Sequence, residues 1–227
     1  GVVAGVLAPP GGVAIDIAAG ASDTIVLRGL TIEGQGSGIH GIRLTSGRSI
    51  TIANCVVLNV AGGGPVDGNA ILLAPSSGTT SVAVSNTAIS GAGYGGLHIR
   101  PTGTGSAVVQ IDRVTANKMA FGIAFNAVNT SGTVTGSVSA SVVTSATSAG
   151  ILGQGAGTKM MIDGSISSHN LTGFQSSSSA TVYVGGSTAT KNTFGFAGNA
   201  TMFTYGNNQV DMNTTDVGLA LSTATLR

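Results

Sequence analysis

Residues 24–32 read Thr24-Ile25-Val26-Leu27-Arg28-Gly29-Leu30-Thr31-Ile32, a short run of alternating β-forming residues followed by a small residue and a second short apolar run. The same order returns along the whole chain. The equivalent apolar positions are Leu27, Ile52, Val84, Ile111, Val138, Ile162 and Val184. Their spacings are 25, 32, 27, 27, 24 and 22 residues. An internal repeat of this length is typical of solenoids and other repeat architectures.

A second strand is predicted between consecutive copies, where a small residue precedes apolar residues. These segments begin at Gly41, Ala70, Gly96, Gly122, Gly150, Gly173, Gly195 and Gly218. Short strands with frequent turns fit a sandwich or a parallel β-helix. A sandwich predicts charged outer faces and Asn-Gly hairpins, whereas this unit repeats in one order with few charges. We therefore expect an all-β fold, a right-handed parallel β-helix (solenoid) of about eight coils, as a single domain over 1–227.

The composition supports stacking and excludes several other classes. Glycine accounts for 37 of 227 residues, and only 7% of the residues are charged. In-register stacking explains the low charge, because like charges repeated in every coil would repel. Disordered chains, collagen and helical bundles all need a different composition. The net charge of +1 gives no basic field for a nucleic acid, and no apolar run is long enough to span a membrane.

Several local features are predicted from this stacking. The longest repeat should loop out at residues 61–67, and Cys55 should be a small buried side chain. The six phenylalanines should stack in the interior, with Phe125, Phe174 and Phe196 pointing inward. An asparagine recurs before the second strand, which predicts a hydrogen-bonded ladder. Its members are Asn117, Asn170, Asn192 and Asn213.

The chain resembles the right-handed parallel β-helix, pectate-lyase-like superfamily, and in particular bacterial β-helix repeat proteins whose biochemical role is usually unassigned. The resemblance is carried by residues 22–34, 40–44, 99–103 and 205–210. It implies further coils before Gly1, because members of this superfamily commonly have them. The composition, which is rich in Gly, Ser, Thr and Asn and has few charges and one Cys, suits a protein exported to a bacterial cell surface or outside the cell.

The resemblance implies enzymes that act on acidic polysaccharides, so we searched for their chemistry. A Ca²⁺ site needs several oxygen ligands, and glycoside hydrolysis needs two neighbouring carboxyl groups. The eight carboxylates are dispersed in sequence and form no Asp-x-Asp motif. Asp112 and Asp163 should share one outward column two coils apart, with Ser139 between them. We therefore predict no metal site, no cofactor and no catalytic residues.

One candidate binding patch remains. The outward positions of the second strand place Arg43, His98 and Arg100 on one face of the N-terminal half. Two arginines can bind a carboxylate or phosphate group, and His98 could act as a base. The alternative is that these side chains lie on an ordinary solvated sheet face. Glu33, His40 and the 61–67 loop could border the same end, and His169 should lie in an exposed turn.

The sequence favours a non-catalytic, exported β-helix that serves as a structural or carbohydrate- and surface-interaction module. The alternative is a polysaccharide lyase or glycoside hydrolase relative that acts on an acidic polysaccharide. An ice-binding face of Thr and Ser rows is a third hypothesis, which the unequal repeat lengths disfavour. Expected partners are a polysaccharide, a cell-surface partner or a second copy bound end to end.

Overall fold

The computed structural model describes residues 4–64 and 66–224. These residues form strands, turns and irregular segments, and the described part of the chain contains no helix. All pairs of described strands are parallel. Each strand pairs with the strands one repeat before and after it. The prediction of an all-β parallel β-helix is therefore confirmed.

Each coil contributes strands to three faces, which we number in chain order within a coil. Face 1 is a sheet of nine strands. It consists of β3 (Thr24–Arg28), β6 (Ser49–Ala53), β9 (Thr79–Ser85), β12 (Ser106–Asp112), β14 (Val134–Ser139), β16 (Thr158–Asp163), β19 (Thr181–Gly185), β22 (Thr201–Thr204) and β25 (Leu221–Thr223). The number of stacked strands agrees closely with the predicted number of coils.

Faces 2 and 3 are joined into one sheet by two long strands that continue from one face to the next. Face 2 consists of β1 (Ala4–Leu7), β4 (Leu30–Glu33), β7 (Val56–Val60), β10 (Ala88–Ala92), the first parts of β13 (Thr115–Asn126) and β15 (Val142–Gln154), β17 (Ile166–Ser168), β20 (Thr188–Thr190) and β23 (Gln209–Asp211). Face 3 consists of β2 (Val13–Ala18), β5 (His40–Ser46), β8 (Asn69–Leu73), β11 (Gly95–Ile99), the second parts of β13 and β15, β18 (Thr172–Ser177), β21 (Phe194–Gly198) and β24 (Thr215–Val217).

The predicted register between coils is confirmed on face 1. Leu27 pairs with Ile52, and Ile52 pairs with Val84. The remaining predicted positions continue the same column up to Val184. The unequal repeat lengths are accommodated in the turns, so they leave the rows of side chains on each face continuous.

The core is one column of apolar side chains enclosed by the three faces. Phe125, Phe174 and Phe196 are fully buried in it, as predicted from strand alternation. The other phenylalanines are not interior stacks, which corrects the prediction for them. Phe194 is 36% exposed, and Phe203 stacks on Tyr183 on the outside of face 1 with ring centroids 4.7 Å apart. Alternation turns Phe203 outward, because it follows the buried Met202, whereas Phe194 is exposed at the first position of β21 although it lies two residues before the buried Phe196.

Two corners of each coil contain a residue in the left-handed conformation. Corner 1, between faces 1 and 2, has φ values of 45–67° at Gly29, Asn54, Asn86, Arg113, Ala140, Gly164 and Gly186. Corner 2, between faces 2 and 3, has φ values of 53–70° at Asn59, Gly91, Lys118, Ser145, His169, Lys191 and Met212. Glycine and asparagine tolerate this conformation, whereas other residues lose about 1–2 kcal/mol in it.

Polar ladders hold successive coils together beside these corners. Asn170 donates its backbone N–H to the side-chain oxygen of Asn192 at 2.9 Å, and Asn192 does the same to Asn213. Asn117 does not belong to this ladder, since its side chain accepts from the hydroxyl of Ser90 instead. The prediction was wrong there because Asn117 lies in the outward row of face 2.

Two further local predictions agree with the structure. Cys55 is buried, and its thiol lies 3.4 Å from the carbonyl oxygen of Ala53. The segment between β7 and β8 is free of strand in its described residues, 61–64 and 66–68, as expected for a looped-out turn. Pro65, which belongs to the predicted loop, lies outside the described residues.

Candidate functional site

The three predicted site residues do lie on one face. Arg43 pairs with Leu72 and Leu72 with His98 along face 3, and Arg100 follows β11 immediately. Arg43 and His98 are therefore two coils apart, or about 10 Å at the usual spacing between strands. The structure thus assembles the patch but spreads its members along the helix axis.

Arg43 is already engaged by a carboxylate of the neighbouring coil. Its Nε donates to Oδ1 of Asp16 at 2.9 Å, and its Nη2 donates to Oδ2 at 2.5 Å. This hydrogen bond from Arg43 lowers the pKa of Asp16, although partial burial opposes the effect. The two side chains are 35% and 48% exposed, so the pair is a bidentate surface ion pair. An anionic ligand would compete with Asp16 for this guanidinium.

His98 is buried, which differs from the expected solvated face. Only 3% of the residue is exposed, and Nδ1 lies 3.0 Å from Oδ1 of Asn69. Nε2 lies 3.5 Å from the amide nitrogen of Asn126. An amide oxygen accepts and an amide nitrogen donates, so this arrangement fits the neutral Nδ1–H tautomer.

The environment of His98 also limits its basicity. Burial, and then the neighbouring Arg100 and His40, lower its pKa to about 3. The lone pair on Nε2 faces the Asn126 amide, which is itself bonded to Gln154 at 3.1 Å. A general base works best when its pKa is near the operating pH. The geometry therefore assigns His98 to a buried polar network.

Arg100 lies at the edge of the same face and contacts the turn that follows β13. The side-chain oxygen of Asn129, with its amide turned toward the guanidinium, accepts from Nε at 3.3 Å and also from Nη2. Tyr94 covers the other side of His98, with ring centroids 6.1 Å apart, and also packs edge-on against Phe121. Burial raises the pKa of the Tyr94 hydroxyl, and Arg100 opposes that shift.

The outward side of face 3 is covered by the protein itself in its middle coils. Leu72, Ala124 and Leu152 point outward by register, yet each is no more than 6% exposed. Ala124 and Leu152 form a small second apolar cluster packed against Phe121. Alternation predicted their direction correctly, but it did not predict the side chains that cover them.

Sequence reasoning placed His40 at the border of the patch, whereas the residue is completely buried. Its Nδ1 lies 3.1 Å from the carbonyl oxygen of Asn69, and its Nε2 lies 3.0 Å from that of Val66. His40 thus attaches the looped-out segment to face 3. Asn69 connects both histidines, and the sequence analysis missed it. The sequence contains one signal for this contact. His40 and Asn69 occupy equivalent positions in successive coils, each directly before the predicted second strand that begins at Gly41 or Ala70.

The carboxylates are dispersed in space as well as in sequence. Asp112, Ser139 and Asp163 follow one another in a single row of face 1, as predicted. Asp112 is used internally, because it pairs with Arg113 and accepts from the Ser139 hydroxyl at 3.1 Å. Among the described residues, no three His, Cys, Asp or Glu side chains lie close enough together to hold a metal ion.

Face 1 has a shallow depression on its outer surface that the sequence analysis did not identify. It spans β6, β9 and β12 and has a volume of about 250 Å³. Hydroxyl and amide groups line it, together with the exposed apolar side chain of Val108. A second depression of about 240 Å³ adjoins it and shares Ala83 and Gln110. Together they form a trough with a floor of small residues.

Comparison of the chain with family models, curated proteins and solved structures finds no match. No helix in the described segments is long and apolar enough for a membrane span. The class that the fold defines is a parallel β-solenoid protein, and a function of such a protein resides in sites on its surface.

Proposed function

We propose that the chain is a non-catalytic, exported β-helix module that binds carbohydrate at a cell surface. The proposal includes a bacterial origin and a relationship to the pectate-lyase-like superfamily, which the resemblance of the repeat suggests. The observation that carries the proposal is the trough on face 1. It offers a surface across three coils that is lined by hydroxyl, amide and apolar groups, with Asp112 as the one charged residue in its lining.

The chemistry of the trough suits a neutral sugar chain. Ser49, Thr51 and Ser81 provide hydroxyl groups, and Gln110 provides an amide that can both donate and accept. Val108 is 53% exposed and provides an apolar contact for the C–H surface of a sugar ring. The floor of the trough is low because a small side chain, that of Ala83, lies between Thr51 and Gln110 in the register of the sheet.

The residues that could take part in catalysis are already bonded to other groups of the protein, which supports a binding role instead. Arg43 is bonded to Asp16, and His98 is buried in an amide network. Asp112 is paired with Arg113. Hydrolysis requires two carboxyl groups about 5–10 Å apart with the sugar between them, and lyase chemistry requires an accessible base. These contacts favour a module that binds without turning over its ligand.

The test is binding of xylan, galactomannan and mixed-linkage β-glucan to the protein and to two variants. In Ala83→Arg a long side chain fills the trough, so binding of the preferred glycan should be lost. Thr115→Arg adds the same charge on the exposed surface of face 2 and should leave binding intact. Equal binding by both variants would place the ligand elsewhere.

The competing hypothesis of an enzyme acting on acidic polysaccharide has a separate readout. Incubation with polygalacturonate or alginate would then release unsaturated or reducing ends. Such products from the purified protein would overturn the non-catalytic proposal. Failure to bind any of the neutral glycans would overturn the carbohydrate part of it.

A further inference from the structure

We propose that corner 2 of the C-terminal half is a binding ridge for a linear polymer that carries phosphate groups. The ridge consists of Lys118, Ser145, His169 and Lys191, one residue from each of four successive coils. This surface is distinct from the trough on face 1 and does not depend on it.

The register of face 2 aligns these residues. Asn117 pairs with Thr144, Thr144 with Ser168, and Ser168 with Thr190. Each ridge residue directly follows one of these four, so the ridge residues are stacked as well. At about 4.8 Å per coil, Lys118 and Lys191 are about 14 Å apart along the axis. Four coils thus present a straight row of exposed side chains.

The ridge side chains have no partners in the described part of the chain. Neither Lys118 nor Lys191 has a carboxylate oxygen within 4.0 Å, and no side-chain hydrogen bond is made by either or by His169. Arg113 at corner 1 differs, since it pairs with Asp112 and donates to Asn86 at 2.8 Å. Cations are scarce in this protein, and these remain available to an external anion.

The two acidic groups nearest the ridge lie beyond its ends and are turned elsewhere. Asp211 lies one coil beyond Thr190, and its Oδ1 accepts from the backbone N–H of Met212 at 2.7 Å. Glu33 lies at the opposite end of the same row, where it accepts from the backbone of Gln35 and from Asn59. Neither carboxylate lies within 4.0 Å of the amino group of Lys118 or Lys191.

The backbone provides an independent reason to assign a role to these residues. All four ridge residues have φ values of 56–60°, in the region that glycine and asparagine favour. Corner 1 has glycine or asparagine at five of its seven positions, whereas the ridge has neither. Strained residues of this kind are a recognised indication of function. The chain holds long cationic side chains where Gly or Asn would fit with less strain.

The charge and the hydroxyl donors of the ridge suit a phosphate polymer. The guanidinium of arginine matches carboxylates and phosphates alike, whereas lysine binds phosphate as a point charge. The ridge contains two lysines and a histidine. The row beside it adds the half-buried hydroxyls of Thr144 and Thr190, which make no hydrogen bond within the described chain, whereas Ser168 between them is buried. These hydroxyls can donate to further oxygens of the polymer.

The test is titration with long-chain inorganic polyphosphate at several salt concentrations. The Lys118→Asn/Lys191→Asn double variant removes both charges, and asparagine suits the left-handed backbone, so the fold should be retained. We expect binding to weaken about tenfold and the slope of log K against log salt to fall by roughly 1.4, at about 0.7 per cation. Lys118→Arg/Lys191→Arg should bind as the parent does. Lys159→Asn, on face 1, should also leave binding unchanged.

Three results would overturn the proposal. The first is unchanged affinity in the double asparagine variant despite a thermal unfolding curve like that of the parent protein. The second is an equal loss of affinity in Lys159→Asn, which would indicate an effect of net charge alone. The third is tighter binding of polygalacturonate than of polyphosphate, which would assign the ridge to carboxylates.

Discussion

The ring of Phe174 packs edge-on against the ring of Phe196 in the next coil, with the centroids 5.6 Å apart and the planes inclined by 61°. The two residues pair in the register of face 3, and both are fully buried. Their contact connects the apolar side chains inside one coil with those inside the next coil.

Truncating one of these rings should therefore be costly. We expect Phe174→Ala to lower the free energy of unfolding by about 3–5 kcal/mol, as buried phenylalanine truncations do, because a cavity remains between adjoining coils. Denaturant unfolding measures the change. Phe194→Ala is the matched control, since Phe194 is 36% exposed and should cost far less. A loss below about 1 kcal/mol for Phe174→Ala would refute the proposed core.

The asparagine ladder should contribute to stability through its middle member. In Asn192→Ala the backbone N–H of Asn170 loses its acceptor, and the carbonyl of Ser167 loses a donor at 3.0 Å. Buried groups left without partners cost about 1–3 kcal/mol. Asn117→Ala should cost less, because Asn117 is only partly buried and lies outside the ladder. Equal losses in chemical denaturation would show that the ladder has no special role.

The buried imidazole of His98 should make stability depend on pH. The unfolded chain binds this proton near pH 6.5, whereas the folded protein binds it only near pH 3. Between these values the unfolded state holds more protons, so the shift destabilises the folded protein progressively as the pH falls below 6.5, and it has no effect above that pH. The slope from this group approaches about 1.4 kcal/mol per pH unit.

Unfolding measurements at several pH values between 4 and 7 can isolate this contribution. His98→Gln should show a shallower decrease in stability on acidification than the parent protein, whatever its stability at pH 7. Tyr94→Phe keeps the imidazole and the neighbouring ring, so its slope should match that of the parent. Identical slopes in all three proteins would mean that His98 is not held neutral by the fold.

The looped-out segment should accept additional residues. Gly63 has open space around it, whereas a side chain at Gly62 would meet the backbone of Gly68 at 2.6 Å. A short Gly/Ser insertion after Gly63 should reduce stability by less than about 1 kcal/mol, because loop closure costs little more as a loop lengthens. The same insertion between Ala83 and Val84 would displace β9 from its register and should prevent folding. Circular dichroism and unfolding curves distinguish the two outcomes.

The stack on face 1 could be read from the sequence because its signals are local. Alternation within a few residues sets which side chains point inward, and the recurring order sets which residues are equivalent in successive coils. For this reason Leu27, Ile52 and Val84 lie in one column as predicted. The direction of His98 was predicted correctly for the same reason, although its burial was not.

The errors arose where the repeat is irregular or where distant segments meet. Asn117 was included in the ladder because an asparagine also precedes the second strand of its coil, but the register places Met119, not Asn117, at the ladder position. The contact between His40 and Val66 depends on how the longest loop folds back over face 3. Alternation specifies on which side of the sheet a side chain points. The residues that cover that side chain on the outside of the sheet come from other turns of the chain, and alternation does not specify them.

The sequence by itself determined a chain of stacked parallel coils with an apolar interior. Alternation with a period of two and the turn pattern are local properties of the sequence, and both recur in each coil. Only the tertiary structure decided which polar side chains are available. Arg43 and His98 are occupied by partners from other coils, and Asp112 by its chain neighbour Arg113 and by Ser139 of the next coil, whereas Lys118 and Lys191 remain free of partners among the described residues. Hydrogen bonds and ion pairs act over a few ångströms, so they depend on contacts between residues that lie 20 or more positions apart in the chain.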